Sequence, residues 1–258
     1  FKFDADGAYQ WTMPVGVVGD MLNDIVLDGD GNLYVAGVTE TADWISTEGW
    51  DSSYGGERDG FLLKVSPDQT VLWSTYLGSE TYEEAYGVNV DADNNVYVVG
   101  AARSGVWDGP GAWLNTYDLR GNQAGFLITF TPLGAFRWAR YLGGELMDMA
   151  THVDVDGLGN VYVVGQTNSP HWISGGWDET VAGDDGFLAQ FNAEGAPQWS
   201  SYIGGDGYEL AARVIVDTAG SVFVSGTTES ESWADGGWIP EFGGIMDGFL
   251  LKAVRFKV

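Results

Sequence analysis

The chain contains no cysteine, so no disulfide can hold its fold. Basic residues are scarce: 11 Lys and Arg stand against 37 Asp and Glu, for a net charge of −26. Such a surface repels DNA, RNA and anionic membranes, and nucleic acid is not expected as a partner. It suits cation binding, a salty environment or plain solubility. No stretch approaches 18 consecutive apolar residues, which excludes a helical membrane insertion. There are only two histidines, no Gly-rich phosphate loop, and no His/Cys cluster with zinc spacing. No nucleophile pairs with a base at a recognisable spacing, so an enzyme is not expected. The first residue is Phe1 and no signal-peptide pattern precedes it. The chain therefore reads as processed or excised from something longer.

What is present is aromatic and repetitive. All twelve tryptophans fall on three positions of a unit that occurs four times. One column is Trp11, Trp73, Trp138 and Trp199, with spacings of 62, 65 and 61 residues. The second is Trp44, Trp107, Trp172 and Trp233; the third is Trp50, Trp113, Trp177 and Trp238. A repeat of about 62 residues decides the fold class before any other argument.

Each unit reads as two hairpins. Residues 88–100 run Val-Asn-Val, an Asp/Asn turn, then Val-Tyr-Val-Val-Gly, and residues 25–37, 153–165 and 214–226 match them. β-Branched runs around such a turn predict two strands, A and B. Residues 60–78 predict strands C and D about a Ser-Pro-Asp turn, and 125–143 and 186–204 repeat them. Nothing between the hairpins has helical periodicity. The expectation is an all-β, four-bladed β-propeller with four antiparallel strands per blade, spanning 1–258 as a single domain. The chain opens with a D strand (8–15) and closes with a C strand (248–254). The N-terminal strand is therefore expected to complete the last blade and close the ring, removing exposed edges. Phe1-Lys2-Phe3 resists this scheme, because it looks like the end of another C strand in register with Leu251-Lys252-Ala253. A fragment of a larger array is the alternative.

These residues resemble the bacterial SBBP β-propeller repeat. The likeness rests on Val-Asp-x-x-Gly-Asn-Val-Tyr-Val-Val-Gly at 155–165, Asp-Gly-Phe-Leu-x-Lys at 59–64 and Trp-Ser-x-Tyr-Leu/Ile-Gly at 73–78 and 199–204. An acid-x-Ala element before strand A (Glu83-Glu84-Ala85, Asp148-Met149-Ala150, Glu209-Leu210-Ala211) also matches. The resemblance implies a propeller in a secreted or surface bacterial protein and no particular activity, since propellers host many functions.

In a propeller the A–B and C–D turns share one face, and the B–C and D–A loops share the other. Here the B–C loops are long, about 20 residues, which is where function usually sits. Each carries two tryptophans: Trp44 and Trp50, Trp107 and Trp113, Trp172 and Trp177, Trp233 and Trp238. They are candidate platforms for sugar rings or aromatic side chains, as in a lectin, or else wedges between blades. A second set is acidic. Asp20, Glu83, Asp148 and Glu209 each precede the Asp ending strand A by eight residues, and Glu80, Glu145 and Asp206 lie three residues earlier. Four carboxylates converging at a channel mouth would suit Ca²⁺; otherwise each caps its own loop. Symmetry breaks at Asp24, Gly87, His152 and Arg213, where an acid, an imidazole and a guanidinium could bind an anion or perform acid–base chemistry. The combined expectation is a non-enzymatic, extracellular or cell-surface interaction module. It presents a Trp- and acid-rich loop face to a protein or glycan partner; a hydrolase at the channel mouth is the remote alternative.

Overall fold

The computed structural model describes residues 1–42, 44–45, 49–103, 122–231, 233 and 244–253. Among them every regular element is a strand. A two-stranded hairpin comes first, β1 (Lys2–Phe3) with β2 (Tyr9–Trp11). The first sheet is β3 (Met21–Leu27), β4 (Leu33–Thr39), β5 (Asp59–Val65) and β6 (Val71–Leu77). The second is β7 (Glu83–Val90), β8 (Val96–Ala102), β9 (Ala124–Phe130) and β10 (Phe136–Leu142). The third is β11 (Asp148–Val155), β12 (Val161–Thr167), β13 (Asp185–Phe191) and β14 (Pro197–Ile203). The fourth has three strands, β15 (Glu209–Val216), β16 (Val222–Thr228) and β17 (Asp247–Ala253). In each sheet the strands lie in sequence order and run antiparallel, so the A–B–C–D reading holds in three complete copies.

Consecutive sheets stack face to face. Tyr34, Ala36 and Leu62 of the first meet Val88, Val98 and Ile128 of the second. Tyr97, Val99 and Leu127 meet Val153, Val163 and Ala189 of the third. Tyr162, Val164 and Leu188 meet Val214, Val224 and Ala253 of the fourth. This is why the B and C strands read as near-continuous apolar runs: both their faces are covered. The D-strand tryptophans tie the outer rim together. Trp73 Nε1 donates to the Pro132 carbonyl of the next sheet at 3.1 Å, and Trp138 Nε1 does the same to Ala193 at 3.1 Å.

Among the described residues the expected ring closure is absent. The N-terminal D strand covers Tyr9–Trp11 rather than 8–15, and it pairs with β1, Lys2 opposite Trp11, instead of with β17. The physical reason is local. Residues 1–3 repeat the end of a C strand, so β2 finds a partner across a short turn. The Asp4 carboxylate holds that turn by accepting the amides of Asp6 at 3.1 Å and Ala8 at 2.8 Å. Closing so short a loop costs less chain entropy than joining strands at opposite ends of the sequence.

Every A strand carries a bulge at the same place, between Leu22 and Asp24, Ala85 and Gly87, Ala150 and His152, and Ala211 and Arg213. Opposite each bulge sits a glycine. A Cβ on Gly100 would lie 1.9 Å from the Glu84 carbonyl oxygen and 2.6 Å from the Phe126 ring. The glycine lets a C-strand Phe lie flat across the bulge. Gly100→Ala should therefore destabilise the chain by about 1–3 kcal/mol. Gly157→Ala, where a Cβ meets nothing within 4 Å, should stay within about 0.5 kcal/mol of wild type. Urea unfolding of both variants checks the pair.

Candidate functional site

The inner edge of each A strand has no sheet partner, and side chains reach from it to the next sheet instead. Asn23 Nδ2 donates to the Ala85 carbonyl at 2.8 Å, and Asp24 Oδ2 accepts the Val88 amide at 3.0 Å. Asn89 Nδ2 donates to the Val153 carbonyl at 3.2 Å and to Asp154 at 2.8 Å. Thr151 Oγ1 donates to the Ala211 carbonyl at 2.6 Å, and His152 Nδ1 accepts the Val214 amide at 3.4 Å. These bonds bring the symmetry-breaking column to one place. Arg213 Nη1 lies 3.7 Å from Asp24 Oδ2, joining the fourth sheet to the first across the channel. Burial and the Arg213 charge push the His152 pKa below its usual value, against a smaller opposing pull from Asp24. The imidazole is therefore neutral, and because Nδ1 is an acceptor its proton sits on Nε2. The hydroxyl of the adjacent Thr151 is committed to backbone carbonyls.

The acidic column goes elsewhere. Glu83 Oε2 accepts the Ser79 amide at 2.8 Å, Asp148 Oδ2 the Gly144 amide at 2.9 Å, Glu209 Oε2 the Gly205 amide at 2.9 Å and Asp20 Oδ2 the Val17 amide at 2.7 Å. Each carboxylate caps its own D–A loop, so the structure does not bring the four together. Among the described residues no group of three or more His, Asp or Glu is placed to hold a metal ion. Equal melting temperatures in excess EDTA and in millimolar Ca²⁺ are the expected outcome; a calcium-dependent rise would reveal a bound ion through the linkage RT ln(1 + [L]/Kd).

The first loop tryptophans join the same assembly. Trp44, Trp172 and Trp233 donate Nε1–H to Thr39, Thr167 and Thr228 at 3.0, 3.0 and 2.8 Å. The Thr167 hydroxyl in turn donates to Asp148, and that of Thr228 to Glu209. Each indole also stands edge-on to the C-strand Phe of its own sheet: Trp44 on Phe61, Trp172 on Phe187, Trp233 on Phe249. Trp50 reaches the second sheet, stacking on Phe136 at 5.5 Å. Trp177 packs against Trp199 and remains 40% exposed. Trp107, Trp113 and Trp238 lie outside the described residues.

Two features escape the sequence reading. The first is a pair of buried C-strand acids. Asp59 accepts the Gly55 amide at 2.9 Å and Asp185 the Ala182 amide at 3.1 Å, while their Oδ1 atoms are buried without a hydrogen-bond partner. Burial, with further pressure from Glu83 and Glu209 respectively, pushes both pKa values up to about 7. Burial lifts Asp148 to about 6 despite its hydroxyl donors. The only signal was the Asp before Gly-Phe-Leu, which marks position and not burial. The second is a cluster at the first junction. Arg58 pairs with Glu84 at 2.9 Å, and its guanidinium lies 5.1 Å from the centre of the Tyr82 ring, against which Arg103 lies at 4.8 Å. Glu84 and Tyr86 give way to Met149 and Thr151 in the next copy and to Leu210 and Ala212 in the last, so the cluster occurs once.

With this geometry in place, the chain was compared with known proteins. Residues 137–170 match the SBBP family model, a beta-propeller repeat. The matched SBBP segment runs through β11 and β12, and so contains Asp148, His152 and Thr167. The chain is also similar to an uncharacterized WD repeat-containing protein of Acanthamoeba polyphaga mimivirus, 21% identical over 189 residues, 63% of this chain and 14% of that protein. Among solved structures it is similar to a gluconolactonase from Xanthomonas campestris, with 15% identity, 87% of this chain and 61% of that one covered, and a TM-score of 0.43. A protein of unknown function from Bacteroides caccae gives 10% identity, 83% and 56% coverage, and a TM-score of 0.45. The chain thus spans 14% of the first relative's length and 56–61% of these two structures.

In the unfolded chain Asp59, Asp148 and Asp185 titrate near 3.8. The folded state therefore holds protons that the unfolded state has released. The associated stability is full below about pH 4 and is lost as pH rises through about 6 to 7. Stability should fall by about 2 kcal/mol or more between pH 5 and pH 8. Asp59→Asn with Asp185→Asn should flatten that decline, read by chemical denaturation across the pH range.

Proposed function

We propose that the chain is a non-enzymatic interaction module, a set of propeller blades that presents its long-loop face to a protein partner outside the cell or at its surface. The observation that carries this reading is the division of labour on that face. The polar groups able to do chemistry there, the capping carboxylates, Thr151 and His152, are engaged in structural hydrogen bonds. Glu80, Glu145 and Asp206 project from the D–A loops and are exposed. An exposed ring of carboxylates on a chain of charge −26 favours a cationic protein surface and accelerates its encounter. The SBBP match and the WD repeat-containing relative support a repeat scaffold whose binding groups lie on its loops.

The reading is tested with an immobilised Lys/Arg-rich peptide as probe. Glu80→Lys, Glu145→Lys and Asp206→Lys together should weaken binding at least tenfold and flatten its salt dependence. The same reversals on the opposite face, Asp30→Lys, Asp93→Lys and Glu194→Lys, should leave most of the binding intact. Equal loss from the two sets would reject the assignment of the face. The half-exposed Trp177 favours a second reading, a glycan platform: loss of retention on a neutral glycan by Trp177→Ala, with melting unchanged, would support it.

A further inference from the structure

One guanidinium on the long-loop face carries its charge without a carboxylate. Arg103 follows β8, at the start of the second long loop, and is exposed. Among the described residues no carboxylate pairs with it. Its side chain is nevertheless held at three points. The Arg103 amide donates to the Tyr82 carbonyl at 3.0 Å. Its Nε donates to Gln123 Oε1 at 3.4 Å. Its guanidinium lies 4.8 Å from the centre of the Tyr82 ring. Laid against the ring and tethered through Nε, the group keeps its two Nη nitrogens for another partner.

The neighbours that could neutralise Arg103 are spent on one another. Glu84 is buried; it accepts the Tyr82 hydroxyl at 2.9 Å and the Tyr86 hydroxyl, and it pairs with Arg58 at 2.9 Å. Burial, with the Glu84 charge, holds both phenol pKa values above their usual level, so the hydroxyls stay protonated. The Tyr82 oxygen also accepts Arg58 Nη1, which fixes the ring on which Arg103 rests. Arg58 Nε, on a guanidinium against the same ring, is buried without a hydrogen-bond partner; Glu40 Oε1 stands 3.7 Å away. The fold does not require the Arg103 charge. Asn168 and Glu229 hold its column in the next two copies and make the same backbone bond, to Met147 and Tyr208. Tyr208 is the equivalent of Tyr82, each bridging to the residue before its C strand, so beside Glu229 the same scaffold carries the opposite charge.

We infer that Arg103 is the anchor of a binding site for a single carboxylate group, held by the two Nη nitrogens. The planar fork of a guanidinium matches a carboxylate with two parallel hydrogen bonds. Tyr82 and Gln123 order that fork in advance, so little side-chain entropy is lost when the ligand arrives. The charge of −26 on the chain sets the ligand's own charge. Every further negative charge is repelled by the surrounding surface, so a monoanionic carboxylate fits and a sulfate or phosphate dianion does not. The carboxylate belongs to a small organic acid or to one Asp or Glu side chain of a protein partner.

The test follows the NMR resonances of the Arg103 Nε–H and the Gln123 side-chain amide as acetate replaces chloride at constant ionic strength. A saturable shift of both is expected, with sulfate binding weaker by about fivefold or more. Arg103→Asn, the residue of the third copy, should leave melting unchanged and abolish the saturable shift of Gln123. Arg103→Lys keeps the charge without the fork and should weaken acetate by about fivefold or more. A shift that never saturates, a Gln123 response that survives Arg103→Asn, or sulfate binding more tightly than acetate overturns the inference. A Lys/Arg-rich peptide carrying one Glu separates the two sources. If it outbinds the same peptide with Gln in that place on wild type but not on Arg103→Asn, the carboxylate is a partner's side chain. If the two peptides bind alike while acetate saturates, the ligand is a small acid.

Discussion

The structure depends on an edge that has no partner. Each sheet ends at the channel in a strand with free backbone groups, β3, β7, β11 or β15, and nothing in the sheet can satisfy them. Asn23, Asp24, Asn89, Thr151, His152 and Asp154 supply what is missing by bonding the backbone of the next sheet. Those bonds set the sheets at a fixed spacing, and that spacing in turn lets the apolar faces close on one another with little void. The mixed polar character of this column follows from one geometric need met by different side chains: an acceptor for an amide, or a donor for a carbonyl.

The same economy explains the tryptophans and acids. Indole, threonine hydroxyl, carboxylate and loop amide form one hydrogen-bonded line in the third sheet and again in the fourth. The line fixes where the long loop leaves the B strand and where the D–A loop turns back, and it lies beside the Phe that crosses the bulge. Residues that look like a binding surface when read as columns are largely the fastening of that surface. Glu80, Glu145 and Asp206 remain exposed on that face, and Trp177 is half-covered.

Much of this was legible in the sequence. The fourfold spacing of Trp11, Trp73, Trp138 and Trp199 placed the units, and the β-branched runs around Asp/Asn/Gly turns placed strands A to D close to where they lie. The convergence of Asp24, His152 and Arg213 followed from strand register alone. Two things were hidden. Periodicity places Asp20, Glu83, Asp148 and Glu209 at equivalent points in four units, but it does not say whether a side chain points toward the axis or folds back on its own loop; that is decided by amides a few residues away, such as those of Ser79 and Gly144. Closure was hidden because the chain contains the end of a C strand twice, at residues 1–3 and 251–253, and the two copies compete for one D strand. The nearer copy takes it, because only a short turn held by the Asp4 carboxylate separates residues 1–3 from β2.

The C-strand acid is present at Asp59, Asp185 and Asp247, but the second sheet has Ala124 in that column. Asp59 and Asp185 sit at the first and third junctions, beside Glu83 and Glu209, whereas at the middle junction Asp148 is answered by the hydroxyls of Thr167 and Ser169. The three interfaces are therefore unequal in alkali. Asp148, at about 6, ionises first, and its charge is met by those hydroxyls. Asp59 and Asp185 follow at about 7, each with a buried oxygen that has no donor, so the charge that arrives last is the charge the fold is least able to hold, and it arrives at the two outer interfaces.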